Sequence, residues 1–469
     1  MERYRVWVDS YVLMPDHAHL IVTVAGGAVL SEWVKAFKVF VGKREFQWQE
    51  GFFDHILRND ESRSEKWEYI RMNPVRAGMV KYPDDWPYAG WFDSRTGSAG
   101  REKQQGCEFA GRVTSPGVDY KRVTSPGGNP SIHGLLPEDL EAFCLSVGQP
   151  AFRAKQIWDW LYVKRVSSID EMKNLPAPFR AQLAERFAFQ CLEKLETKGD
   201  PGETQKLLFR LADNELIETV IIPAPRRQAN TVCVSCQVGC RFGCAFCASG
   251  QKGVIRNLSA GEIVGEVLEV AKLLGGRPDN VVFMGIGEPF DNYDEVLKAV
   301  RIMNHPDGLG IGARRITIST CGVVSGIQRL AEEGLQVELS VSLHAPDEET
   351  RSRVMPVNET WPLDELLDAC RAYTEKTNRI ITFEYTLIKN LNDSPERARQ
   401  LVKLLKKFSC RVNLIPLSPV EEFDGERPDS ETMKEFLQIL ENEGINTTLR
   451  DSKGSALKAA CGQLRARRL

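Results

Sequence analysis

From Asn230 onward, short runs of strand-like apolar residues give way, with unusual regularity, to longer runs of helical spacing. The strand runs are Thr231–Ser235, Asn280–Gly285, Arg315–Thr320, Val337–Leu343, Ile380–Leu387 and Val412–Leu417. Between them lie helices such as Ala260–Leu274, Tyr293–Met303, Leu363–Thr374 and Pro395–Lys407. Ser259 and Glu262 have the spacing of a capping box, and Pro395 stands where a first helical turn tolerates proline. Six βα units predict a parallel sheet. With right-handed crossovers they curl into a partial barrel whose active site lies at the carboxyl ends of the strands.

Upstream the pattern changes twice. LPEDLEAFCLSVG, FRAKQIWDWLYVKRV and APFRAQLAERF, between Leu136 and Phe189, carry apolar residues at helical spacing and predict a small helical domain. Gln205–Leu211 and Leu216–Ile222 read as a hairpin. Nearer the N-terminus, strand-like runs at Val6–Leu13 and Leu20–Val24 precede a helical stretch, Leu30–Phe46. Between these regions, Ser98 to Pro130 is rich in Gly, Ser, Pro and charge, and RVTSPG occurs twice, at Arg112–Gly117 and Arg122–Gly127, as in a duplicated hinge. The expected organisation is an α+β domain (1–97), a linker (98–130), a helical accessory domain (131–195), a hairpin lead-in (196–229), an α/β barrel (230–450) and a C-terminal tail (451–469).

A chain of 469 residues with 42% hydrophobic content can build two or three cores. No apolar run approaches the roughly 20 residues that a bilayer crossing needs, and the first residues lack the apolar core of a signal peptide. The cytoplasm is the expected compartment, with no membrane partner. Twelve cysteines in so long a chain are too few for a secreted disulfide scaffold, and the crowding of five between Cys233 and Cys247 points to metal or redox chemistry. The net charge of −3 gives no global sign of nucleic-acid binding, so any such contact must come from local patches.

The segment Cys240-Arg-Phe-Gly-Cys244-Ala-Phe-Cys247 follows the first barrel strand, which puts its three thiols at the expected active-site end. Thiolates suit zinc or iron–sulfur clusters; three of them leave one iron of a four-iron cube without a protein ligand, open to substrate. A structural zinc site would want a fourth Cys or His at matching spacing, and none stands nearby.

This Cys-x3-Cys-x2-Cys pattern on a six-fold βα barrel resembles the radical S-adenosylmethionine (SAM) superfamily. The run CVSCQVGCRFGCAFC, GIGEP at Gly285–Pro289, ISTCG at Ile318–Gly322, SLHAPDEETR at Ser342–Arg351 and the tail AACGQL resemble, in order, the RlmN family of RNA adenine-C2 methyltransferases. The resemblance covers Asn129 to Leu469 and implies a [4Fe-4S] cluster on Cys240, Cys244 and Cys247, with SAM as cosubstrate. It implies that Cys461 carries a methyl taken from SAM, that Cys233 forms a transient disulfide with Cys461, and that Glu218 is the proton acceptor. For SAM it implies contacts from Gly287, Glu288, Ser319, Ser342, Leu343, His344 and Ser418, the last at a position where the family commonly has Asn. Cys236 receives no role.

The implied substrates are 23S rRNA and tRNA, with a flavodoxin-type electron donor. RNA contact is expected from the helical domain, where Arg153, Lys155, Lys164 and Arg165 flank Trp158 and Trp160, and from Arg465, Arg467 and Arg468. A neighbouring expectation is the adenine-C8 methyltransferase of the Cfr type. The N-terminal MPDHAHL resembles the metal-binding motif of Y1 transposases, specifically the REP-associated tyrosine transposase group, with His17 and His19 as metal ligands and Tyr69 as nucleophile. The family's preceding strand is missing here, so the expectation is a truncated, fused remnant; a DNA-nicking domain is the alternative.

Overall fold

The structure is a computed structural model that describes residues 6–13, 18–24, 33–34, 70, 89–93, 98–100, 129–189, 192–224, 228–450, 457 and 459–465. The chain forms two compact units, Met1–Val118 and Asp119–Leu469. In the first, β1 (Val6–Leu13) pairs antiparallel with β2 (Ala18–Val24) and with β3 (Ala89–Asp93), and β4 (Ser98–Gly100) borders β3. The expectations at His17, at the His19 side chain and at Tyr69 lie outside the described residues.

The second unit begins with three short helices, α1 (Pro137–Ser146), α2 (Phe152–Trp158) and α3 (Ala177–Arg186). Their apolar faces, including Leu140, Ile157, Phe179 and Leu183, are buried together. A π-helical turn, Asp159–Val163, extends α2; Lys164 N donates to Asp159 O at 2.9 Å. This group joins the larger body by direct backbone approach. A Cβ on Gly134 would lie 2.8 Å from Gly261 N, and one on Gly261 would lie 2.5 Å from Ser131 Cβ.

A mixed sheet organises the rest. The strands β5 (Leu192–Lys198), β6 (Gln205–Leu211), β7 (Leu216–Ala224) and β8 (Ala229–Cys233) run antiparallel in a meander. A small hairpin, β9 (Gln237–Cys240) and β10 (Gly253–Asn257), follows. From β8 the sheet continues in parallel through β11 (Asn280–Phe283), β12 (Ile316–Thr320), β13 (Glu338–Ser342), β14 (Ile381–Leu387), β15 (Cys410–Pro416) and β16 (Asn446–Leu449). All six expected parallel strands are present and β16 adds a seventh; among the described residues the whole sheet has ten strands in the order β16-β15-β14-β13-β12-β11-β8-β7-β6-β5. The strand β16 escaped the sequence pattern because its NTTL is half exposed and has no apolar run.

Seven helices follow the parallel strands: α4 (Ala260–Leu274), α5 (Tyr293–Asn304), α6 (Val324–Glu332), α7 (Glu348–Val354), α8 (Leu363–Thr377), α9 (Pro395–Leu405) and α10 (Ser430–Asn442). The capping box of α4 forms as expected, with Ser259 N donating to Glu262 Oε2 at 2.8 Å and Glu262 N to Ser259 Oγ at 3.3 Å. No helix of the described residues is long and apolar enough to cross a membrane.

Strand register assigns the two faces of β6, β7 and β8. Lys206 lies opposite Val220, Leu208 opposite Glu218, and Val220 opposite Cys233. Side chains alternate along a strand, so Lys206, Glu218 and Cys233 share one face. The other face carries Leu207, Phe209, Thr219, Ile221 and Val232; its apolar members belong to the main core.

Candidate active site

The three thiols are presented by a loop that backbone geometry shapes tightly. Cys240 ends β9 opposite Gly253. Gly239, just before Cys240, has φ +79, and a Cβ there would fall 2.1 Å from Gly253 O. Gly243 turns the chain at φ +60 before Cys244. Cys240, Cys244 and Cys247 line a cavity of about 150 Å³ together with Phe242, Phe246 and the carboxyl ends of several parallel strands. All three line this one space; among the described residues no three Cys, His, Asp or Glu side chains converge on a single-ion site. Three soft thiols lining one cavity suit a four-iron cube. Burial pushes the Cys240 thiol up to about 12, so loading a cluster there releases protons.

Gly287, Glu288, Ser319, Ser342, His344 and Ser418 line the same cavity. Gly285 and Gly287 are required by close approach, since a Cβ would lie 2.5 Å from Val234 O at the first and 2.6 Å from Gln237 Cβ at the second, where φ is +110. Glu288 is buried; Oε1 accepts from Phe290 N at 3.1 Å and Oε2 from Cys321 N at 2.8 Å. Burial raises its carboxyl above the usual range, and these bonds oppose the shift. His344 has φ +57, accepts from Thr386 N through Nδ1 at 2.9 Å and meets the Phe246 ring edge-on. Burial, seconded by Arg351, lowers its pKa to about 3, which leaves the ring neutral with its proton on Nε2. Leu343 differs from the rest: its side chain is fully buried in the hydrophobic core and does not line the cavity.

Cys461 closes the cavity from the tail. It keeps exposed surface, yet desolvation against the wall raises its thiol pKa, with the Arg450 guanidinium opposing. Cys233 lies outside the cavity lining, buried under Ala459 and Leu464 of the tail, and burial followed by the proximity of Cys461 pushes its thiol up. Glu218 also lies off the cavity. Its Oε1 receives Lys206 Nζ at 2.9 Å in a pair whose two side chains are only 2% and 1% exposed, and its Oε2 accepts Arg465 N from the tail at 2.8 Å.

The basic face of the helical domain is only partly as expected. Trp158 is 2% exposed and packs on Tyr162 and His305, so it presents no stacking surface. The amphipathic spacing read as a polar flank is instead a core position. Lys164 Nζ sits 3.5 Å above the Trp160 ring, Arg153 donates to Gln156 and to Asn174 O, Lys155 reaches Asp307 at 4.0 Å, and Arg165 lines a separate cavity beside His133. Arg465 is tied to Glu421 and Glu422. Arg467 and Arg468 lie outside the described residues.

Three residues at or behind the site received no role from the sequence, although Arg351 ends the motif SLHAPDEETR. Glu384, buried at the cavity wall, accepts from Asn413 Nδ2 at 3.0 Å and lies 3.6 Å from Arg450. Arg351 and Lys206 are both fully buried cations. Lys206 left a local trace as the one charge within the buried stretch of β6, QKLLFRL.

Comparison with known proteins places this geometry. The model of the Radical SAM superfamily matches residues 234–402, and that of the Ribosomal RNA large subunit methyltransferase N-terminal domain matches residues 131–188. The chain is 49% identical over 346 residues to a probable dual-specificity RNA methyltransferase RlmN of Symbiobacterium thermophilum, across 72% of this chain and 92% of that protein. To the protein of the same description from Halalkalibacterium halodurans it is 46% identical over 344 residues, 73% of this chain and 94% of that one. The crystal structure of a radical SAM methyltransferase from Sphaerobacter thermophilus matches with a TM-score of 0.70 at 45% identity, covering 72% of this chain and 100% of that chain.

Proposed function

The chain belongs to the RlmN family of radical SAM RNA methyltransferases, and from that premise we propose that it methylates carbon 2 of an adenine in 23S rRNA and of the adenosine 3′ of the anticodon in some tRNAs. As a radical SAM enzyme it works with a [4Fe-4S] cluster and SAM. What supports the finer reading is one juxtaposition: Cys461 lines the same cavity as Cys240, Cys244 and Cys247, with Cys233 buried beside it.

Carbon 2 of adenine has little nucleophilicity, so polar transfer of a methyl cation to it fails. The sulfur of Cys461 instead takes the methyl of one SAM, losing its thiol proton as S-adenosylhomocysteine departs. When bound, the cluster supplies the electron that splits a second SAM and so generates the radical that removes a hydrogen atom from this methyl. The carbon on Cys461 then adds to C2. Loss of one electron, which the oxidised cluster held by Cys240, Cys244 and Cys247 would take back, and of the C2 proton, which Glu218 accepts on release of the Arg465 N–H, restores the aromatic ring as a thioether. Cys233 attacks the sulfur of Cys461 and forms a disulfide; the carbon leaves with the bonding pair and takes a proton to become the methyl group. A flavodoxin-type donor fits the supply of electrons, and reduction of the disulfide suits a thiol-reducing compartment. For C2 to reach Cys461 the adenine must leave its stack, so loops and single strands are the substrates.

The test is anaerobic reconstitution with SAM, reductant and RNA, followed by mass spectrometry of the digested RNA. Wild type should yield 2-methyladenosine and Cys461→Ala none; 8-methyladenosine would move the chain to the Cfr type. The N-terminal unit is read as dispensable for this reaction, and a chain beginning near Asn129 that lost methylation would refute that.

A further inference from the structure

Among the buried cations of this chain, Arg351 stands apart. Lys206 is paired with Glu218, and Arg256 with Asp213 and Glu262. Arg351 is 0% exposed, yet the oxygens it touches are all neutral. Its Nη2 donates to Cys321 O at 3.0 Å and Ser342 O at 3.3 Å, and its Nη1 to Asn358 Oδ1 at 2.5 Å. Nε has no hydrogen-bond partner, and no carboxylate pairs with the guanidinium, among the described residues. The carboxylate of nearby Glu348 is engaged by Asn358 Nδ2 and Leu363 N. Even the backbone leaves room for this cation: a Cβ on Gly322, at φ +112, would lie 2.8 Å from Nη2.

A buried charge without a counter-charge is strongly unfavourable. The site where Arg351 sits supplies one. Cys321 and Ser342 both line the cavity ringed by the three cysteines. The loop is fastened to the helix bearing Arg351, since Ala245 N, next to Cys244, donates to Val354 O at 2.9 Å. Burial pushes the guanidinium down from its usual range.

We propose that Arg351 is the buried counter-charge of the iron–sulfur cluster, acting through the cluster to raise its reduction potential. Three thiolates outweigh the positive charge of an oxidised cube, so the assembly is anionic, and one added electron makes it more so. A fixed cation in a low-dielectric surround therefore favours the reduced form and eases the electron entry that begins the reaction. This inference rests on the placement of the cluster at Cys240, Cys244 and Cys247.

The experiment is a redox titration of the reconstituted full-length enzyme without SAM, followed by electron paramagnetic resonance, with iron content measured alongside. Arg351→Gln keeps an amide donor but no charge; Arg351→Lys keeps the charge. At the wild-type midpoint, the reduced-to-oxidised ratio of the Gln variant should fall about tenfold, a shift of about 59 mV to lower potential for one electron. The Lys variant should stay within about threefold of wild type, as a conserved charge requires. A Gln variant that folds by circular dichroism but sheds its iron on desalting, while the Lys variant keeps it, supports the same role. A Gln variant that titrates at the wild-type potential overturns the proposal. So does an equal shift, or an equal loss of folded protein, in both variants, because shape and not charge would then be at work. Wild type that binds no iron and sulfide would overturn the cluster assignment itself, and this proposal with it.

Discussion

The loop from Cys240 to Cys247 and the tail around Cys461 bring sulfur to one cavity by opposite means. The loop is held largely by main-chain bonds: β9 pairs with β10, Ala245 N reaches Val354 O, and Cys247 N reaches Cys244 O at 3.0 Å. The tail is held by single, separable contacts to distant parts of the chain. Gly462 O accepts from Ala248 N at 2.7 Å, Leu464 O from Ser249 Oγ at 2.8 Å, and Glu218 Oε2 from Arg465 N at 2.8 Å. Gln463 Nε2 donates to Pro419 O at 3.1 Å. Sulfurs that hold an electron-transfer centre gain from a fixed frame. Under the proposed reaction the Cys461 sulfur meets SAM, then RNA, then Cys233, and gains from a segment whose fastenings can be undone one at a time.

The hardest test of this contrast exchanges the two kinds of sulfur. Cys240→Ala should abolish the visible absorbance of the cluster and all methylation, whereas Cys461→Ala should abolish methylation with the absorbance intact. Loss of absorbance in both would mean that the tail is part of the frame. Next in size is the buried pair under the tail. Lys206→Met leaves the Glu218 carboxylate uncompensated and should destabilise the fold by about 3–5 kcal/mol in chemical denaturation. The double variant Lys206→Met/Glu218→Gln should recover most of that loss; failure to recover would show that packing, not charge, is what Lys206 contributes.

Acidification probes the frame and leaves the tail aside. His344 beside the loop and His133 under the helical domain have pKa values lowered to about 3 and about 4 by burial, so at these two sites the unfolded chain binds more protons than the folded one below pH 6.5. Their contribution to stability is therefore fully present above that pH and lost as pH falls toward those values, by up to about 1.4 kcal/mol per pH unit for each histidine. His344→Gln should make the denaturation midpoint fall less between pH 7 and 5.5. The smallest effect is expected from Ser249→Ala, which removes one tail bond: about 1 kcal/mol, seen as a severalfold slower methylation of Cys461 with unchanged cleavage of SAM. An equal slowing of both would place Ser249 in the frame.

Much of this architecture was legible in the sequence where a signal is local. The spacing of Cys240, Cys244 and Cys247, the box at Ser259 and Glu262, and the span of α4 all depend on neighbours within a few residues. Features set by register between distant strands were not legible. That Lys206, Glu218 and Cys233 share a face follows only from the pairing of β6 with β7 and β7 with β8. Arg351 reads as one polar residue in a charged helix, EETRSRV, and nothing local says that it turns inward toward Cys321 and Ser342. Trp158 failed the other way: a helix flanked by cations suggested an outward ring, while the π-helical turn and the approach of Gly308, whose Cβ would lie 3.0 Å from Trp158 Nε1, show it facing the barrel.

The meeting of Gly134 with Gly261 has a consequence for distance. Two backbones touching where even a methyl group would not fit leave the helical domain no hinge at that joint, and Lys298 clamps it again at Asp139, 2.9 Å away. The span from the face carrying Lys164 and Trp160 to the loop of Cys240, Cys244 and Cys247 is thereby of set length. Under the proposed reaction, an RNA held on that face would be measured at the cavity, and the adenine modified would be the one whose own fold brings it to the mark.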